Sequence, residues 1–155
     1  MVRQSLAVKT GEARRDGAKE AFAREPSIEL VSTQPGNWDR KKAYDVTANL
    51  LQAHPDLKAI MCANDVMALA AVEAIEQRGK AAQTMVVGID FIAQAMDAIE
   101  QGRLAGSVAQ APFVIGELCT KAALAAAQGR QIPRQLHIPP VLVTKDNIGE
   151  FRDWK

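Results

Sequence analysis

Polar and apolar positions along this chain fall into two alternating kinds of block. Short apolar runs end on a polar residue, and within a few positions apolar residues recur at helical spacing. The clearest block runs from Ala59 to Gly79. Its run Ala59-Ile60-Met61-Cys62-Ala63 stops at Asn64-Asp65, a helical pattern starts at once, and Gly79 stands where a helix would end. Strand, polar tip and helix are predicted. Thr84 to Ile89 is apolar on both faces, as an interior parallel strand would be, and Asp90 ends it. Helices are predicted over 93–101 and 114–128, each followed by glycine, and strands over 104–109 and 141–144. Upstream, the pattern predicts a helix over 12–25, a strand over 28–32, and a helix capped by Asp39 that runs to Ala53. Ser5 to Lys9 reads as a short strand. Strand and helix alternating over connections of a few residues mark right-handed βαβ units. The expected class is therefore α/β, a doubly wound parallel sheet with helices on both faces.

Composition narrows the function classes. With 155 residues, 48% of them hydrophobic, the chain can bury a core. A formal net charge of +1, with cations scattered among acids, points away from nucleic acid and from an anionic membrane surface. No apolar run approaches a membrane span, and Met1 is followed by Val-Arg-Gln-Ser, which has no signal-peptide pattern. Cys62 and Cys119 lack C-x-x-C spacing and are expected to be buried free thiols. There is no G-x-G-x-x-G, P-loop or nucleophile elbow, and His54 and His137 stand alone, so neither an enzyme nor a cofactor or metal is expected.

The candidate chemistry lies just past the predicted strands. Arg14 and Arg15 sit near the first helix, Trp38 follows the second strand, Asn64 the third, Asp90 the fourth and Gln110 the fifth. In a parallel sheet these ends share one edge, so a cationic fork, a carboxylate, two amides and an indole would converge there. Planar donors and acceptors beside an aromatic face suit a small neutral polyol. Each residue also has a structural reading. Asn64, Asp65 or Asp90 could cap the helix that follows, Trp38 could anchor its loop, Arg14 could lie on a solvated helix face, and Gln110 could be a plain loop residue.

Four segments carry a family resemblance: Ala-Asn-Asp-Val-Met-Ala-Leu-Ala (63–70), Val-Val-Gly-Ile-Asp (86–90), Gly-Arg-Leu-Ala-Gly-Ser-Val-Ala-Gln-Ala-Pro (102–112) and Val-Leu-Val-Thr-Lys (141–145). In order and spacing they resemble the C-terminal half of the type I periplasmic sugar-binding proteins, most closely the ribose-binding members. In that family two α/β lobes close on a monosaccharide and present it to an ABC importer, sometimes also to a chemoreceptor. The resemblance implies a ribose-like pentose or related hexose as ligand, an ABC permease as partner, and a periplasmic location for the full-length protein. It places ligand-binding roles on Arg14, with Arg15 an adjacent rival, and on Trp38, Asn64, Asp90 and Gln110. Ala18 stands where the family pattern has Phe, and Trp38 where ribose binders often have Phe. Asn64 is expected both to start its helix and to turn its side chain toward a hydroxyl, which leaves Asp65 as the pure cap.

The resemblance also divides the chain. Residues 1–111 would form the ligand-binding lobe, 112–139 would cross the hinge and pack on a first lobe that lies outside this chain, and 140–155 would return. The helix over 114–128 would then expose Val114, Ile115, Leu118, Ala122 and Ala125 and drive self-association. A second implied reading is the effector-binding half of a lac-repressor-type regulator, which shares the Ala-Asn-Asp-x-Met-Ala pattern. Phe91 after Asp90, and the Ala-Gln-Ala-Pro segment at 109–112, favour the transport family.

Overall fold

The computed structural model describes residues 9–151 and the backbone of residues 2–3. In chain order the elements are β1 (Val2–Arg3), α1 (Lys9–Ala23), β2 (Gln34–Pro35), α2 (Arg40–Ala53), β3 (Ala59–Met61) and α3 (Asp65–Gln77). There follow β4 (Met85–Asp90), α4 (Ala93–Glu100), β5 (Gly106–Ala109), α5 (Pro112–Ala127), β6 (Val141–Thr144) and a 3-10 turn over Ile148–Phe151. The main sheet has the order β3-β4-β5-β6. The first three strands are parallel, and β6 pairs antiparallel with β5 in the register Gly106↔Thr144 to Ala109↔Val141. Helices lie on both sides of this largely parallel sheet. The expected doubly wound parallel sheet with helices on both faces is borne out, with β6 added antiparallel at its edge. After α5 the chain comes back along the edge of β5 in the opposite sense.

The βαβ blocks formed because each helix had a sheet face to bury. Helix α3 carries Met67, Ala68, Ala70, Ala71, Val72 and Ile75 inward, and they join Ile60, Val86, Ile99, Leu104 and Val143 in one core. Alanines on this face let α3 lie close to β4. At Gly88 a Cβ would stand 3.1 Å from the Ala68 methyl and 2.1 Å from Asp65 Oδ1. Asp39 caps α2 by accepting from Lys42 N at 2.6 Å, as its position before an apolar-periodic stretch predicts.

Four expectations fail or fall outside the description. Residues 28–32 form no strand, and Ile28, Leu30 and Val31 are exposed. Apolar content alone does not make a strand, because a strand needs a ladder partner. The short pairing here is made instead by Gln34–Pro35 with Val2–Arg3. Residues 5–8 of the Ser5–Lys9 strand lie outside the described residues, and Lys9 opens α1. Cys62 is buried as expected, but Cys119 is exposed, because α5 buries none of its residues. Asp65, expected as a pure cap, is fully buried and is not the cap of α3; Asn64 is the N-cap of α3, accepting from Met67 N at 3.0 Å.

Candidate ligand-binding edge

The parallel strands β3, β4 and β5 end side by side, and α1 lays one arginine across two of those ends. Arg14 donates from Nη1 to the carbonyl of Ala63 at 2.6 Å and from Nη2 to Asp90 Oδ1 at 3.0 Å. Gln110 donates from Nε2 to the same Asp90 oxygen. Trp38 covers the fork, with its ring centroid 5.5 Å from the Arg14 guanidinium carbon, a cation–π arrangement. Arg14, Trp38, Asp90 and Gln110 therefore form one contiguous cluster. Arg15 does not join it, because Nε and Nη2 grip the neighbouring Asp16 carboxylate at 2.5 and 2.7 Å. Of the two candidate arginines, Arg14 is the one at the edge.

Asn64 stands beside the cluster, one residue past the carbonyl that Arg14 holds. Its Oδ1 accepts from Met67 N in the helix cap, and the amide Nδ2 is the group of this side chain that can donate to a ligand. The helix-start half of the expectation for Asn64 is met by this side-chain cap. Asp90 is not a cap: α4 has Ile92 at its N-cap, with no side-chain cap bond. Trp38 serves both readings, being half-buried against the core while its ring lies over Arg14.

Backbone conformation sets this edge apart from the rest of the chain. Among the described residues, the non-glycine positions with positive φ are Asn37 (54°), Trp38 (59°), Asp90 (118°), Phe91 (56°) and Ala111 (51°). Every one is Trp38 or Asp90, or adjoins Trp38, Asp90 or Gln110. L-residues rarely adopt this region, and held strain of this kind collects at functional sites. Sequence reading named the residues but carried no signal for their backbone.

The electrostatics centre on Asp90. Burial pushes its pKa above the ordinary carboxylate range, while the Arg14 charge and the hydrogen bonds from Arg14 and Gln110 pull it back. Both donors use Oδ1, which leaves Oδ2 as an acceptor on a half-buried anion. The missed residues are Asp65 and Ser107, which are fully buried. Asp65 Oδ1 accepts from Ser107 Oγ at 2.7 Å and Asp65 Oδ2 from Ile92 N at 2.9 Å, while Ser107 Oγ accepts from Phe91 N at 3.0 Å. A concavity of about 490 Å³ lies not over Asp90 but against α5, lined by Ile115, Leu118, Ala122, Leu136 and Pro140, with Gln110 among its lining residues. A cluster on a single wall encloses no volume, so cavity size does not locate it.

The periplasmic binding protein domain matches residues 1–131. The chain belongs to that family. Among curated relatives, this periplasmic binding protein domain is 46% identical over 125 residues to the D-allose-binding periplasmic protein of Escherichia coli K12, covering 80% of this chain and 40% of that protein. It is 38% identical over 118 residues to a ribose import binding protein of Bacillus subtilis 168, covering 76% of this chain and 38% of the relative. Among solved structures, it matches a periplasmic solute-binding protein of Actinobacillus succinogenes 130z with bound D-allose. That match has a TM-score of 0.93 and 34% identity, and covers 96% of this chain and 53% of the other. A solute-binding protein of Bacillus halodurans C-125 with bound myo-inositol gives a TM-score of 0.91 at 28% identity, covering 99% and 53%. The chain thus spans about two fifths of the length of those curated relatives. Relatives with these names are binding proteins rather than enzymes, and they do not favour the regulator reading.

Proposed function

We propose that this chain supplies one wall of a monosaccharide-binding cleft in a solute-binding protein of a periplasmic ABC importer. The observation that carries the reading is the convergence of Arg14 and Gln110 on one Asp90 oxygen, beside the Trp38 ring, at the strand ends. Asp90 Oδ2 would accept from a sugar hydroxyl, Arg14 and Gln110 would hold that carboxylate in place, and the indole would cover a C–H face of the ring. Arg14, Trp38, Asn64, Asp90 and Gln110 are the residues assigned to the ligand. The names of the relatives support a pentose or hexose of the ribose and allose type.

Residues 112–139 are assigned to contact with a second lobe. In support, α5 buries no residue and leaves Phe113, Val114, Ile115 and Leu124 exposed. Where no second lobe is present, we infer that the same face associates with another copy.

One wall gives a weak site, because contacts are halved and the ligand stays hydrated. Titration of the isotope-labelled chain with D-allose and D-ribose, followed at the Trp38 indole resonance, is expected to show saturable shifts with Kd on the order of 1 mM. Asp90→Asn should weaken the response by about tenfold, as loss of a charged acceptor does. An unmoved Trp38 signal with both sugars, or full binding by the Asp90 variant, would overturn the assignment.

A further inference from the structure

Asp90 reaches its position through a turn that the chain would not adopt unaided. Asp90 and Phe91 are successive L-residues with φ of 118° and 56°, and α4 begins directly after them without a side-chain cap. The two amide groups that follow Asp90 are held by buried side chains from other elements. Phe91 N–H donates to Ser107 Oγ on β5, and Ile92 N–H donates to Asp65 Oδ2 at the start of α3. Ser107 Oγ–H then closes the triangle by donating to Asp65 Oδ1. Neither Asp65 nor Ser107 is exposed at all, so neither can touch a ligand. Strand β4 makes room for the carboxylate with Gly88, where any Cβ would sit 2.1 Å from Asp65 Oδ1.

Among the described residues Asp65 has no arginine or lysine partner, and a buried carboxylate without one is costly, where a hydrophobic residue would fill the same space more cheaply. Its position is explained by what it holds. We propose that Asp65, acting with Ser107, is the positioning residue of the binding edge: it locks the strained Asp90–Phe91 turn and so aims the Asp90 carboxylate. This rests on the reading of Asp90 as a ligand group. Asp65 acts on affinity only through Asp90.

Two measurements on the full chain test it. Amide hydrogen exchange in Asp65→Ala should accelerate by about tenfold or more at Phe91 and Ile92, while core amides such as Val86 and Ala71 keep their rates. Asp65→Asn should restore slow exchange, because Oδ1 can still accept from Ile92 N–H while Nδ2 donates to Ser107 Oγ. Ser107→Ala, a smaller change for use if Asp65→Ala does not fold, should release Phe91. Unchanged exchange at both amides, or acceleration spread evenly through the core, would overturn the proposal.

The second measurement is D-allose titration of the wild type, Asp65→Ala, Asp90→Asn and the double variant. Asp65→Ala should weaken binding by about tenfold alone, and the double variant should bind no more weakly than Asp90→Asn. Losses that multiply would show that Asp65 acts elsewhere, and would refute positioning through Asp90. If the wild type ignores D-allose, the binding function fails for that sugar, while amide exchange still decides whether Asp65 holds the turn.

Discussion

The Asp65 carboxylate sets a pH dependence that reports on its surroundings. Burial, the largest influence, raises its pKa from an ordinary 3.8 to about 6; hydrogen bonds from Ser107 and the Ile92 amide oppose the rise, and the nearby Asp90 charge adds to it. A carboxyl with a raised pKa in the folded state holds its proton more tightly folded than unfolded. Its contribution to stability is complete below about pH 4 and is lost as pH climbs through 6, a swing of about 3 kcal/mol. Asp90 titrates in the same sense, with Arg14 against it. Urea unfolding of the wild type and of Asp65→Asn, compared pH by pH, should show the variant gaining relative stability between pH 4 and 7. A constant difference would show that the buried carboxyl titrates normally. At this scale the sequence singled out Trp38, Asp90 and Gln110 because each stands next to a strand or helix boundary, and Arg14, which lies inside α1, through the family resemblance. Asp65 was misread because its partner Ser107 lies 42 positions away, and no local pattern records such a pairing.

The elements that were legible are those that bury a face. Helices α2 to α4 and strands β4 to β6 lie within a few residues of their apolar periods, since period and burial are the same fact seen twice. The segment over 28–32 has the residues of a strand without the ladder, and composition cannot supply a partner. Close approach of α3 to β4 was equally invisible, because a glycine inside an apolar run reads as neutral. It is a demanding position. Gly88→Ala would push a methyl into Asp65 Oδ1 and the Ala68 side chain, and overpacking of this sort costs about 1–3 kcal/mol. Asn64→Ala, which removes the α3 cap, should cost about 1 kcal/mol. Chemical denaturation measures both. If Gly88→Ala also disturbs the Ile92 amide while Asn64→Ala does not, the strain passes through Asp65; equal effects on that amide would place it in general packing.

For the molecule as a whole, the open question is what covers α5. Its exposed residues include Phe113, Val114, Ile115 and Leu124, and its half-buried Leu118 and Ala122 line the groove closed on the other side by Leu136 and Pro140. An apolar helix left in water is an association surface, since removing it from solvent is favourable whoever the partner is. The solved relative with bound D-allose is about twice as long as the stretch it shares with this chain, and self-association through α5 is the proposal to be tested where no second lobe is present. Static light scattering is then expected to show a molar mass that rises with concentration above that of the monomer. Replacing Ile115 and Leu124 with lysine should hold the mass at the monomer value without lowering stability, because neither side chain is part of the buried core. A wild-type chain that stays monomeric at the highest soluble concentration would show that α5 is content in water, and would remove the reason for assigning residues 112–139 to an interface.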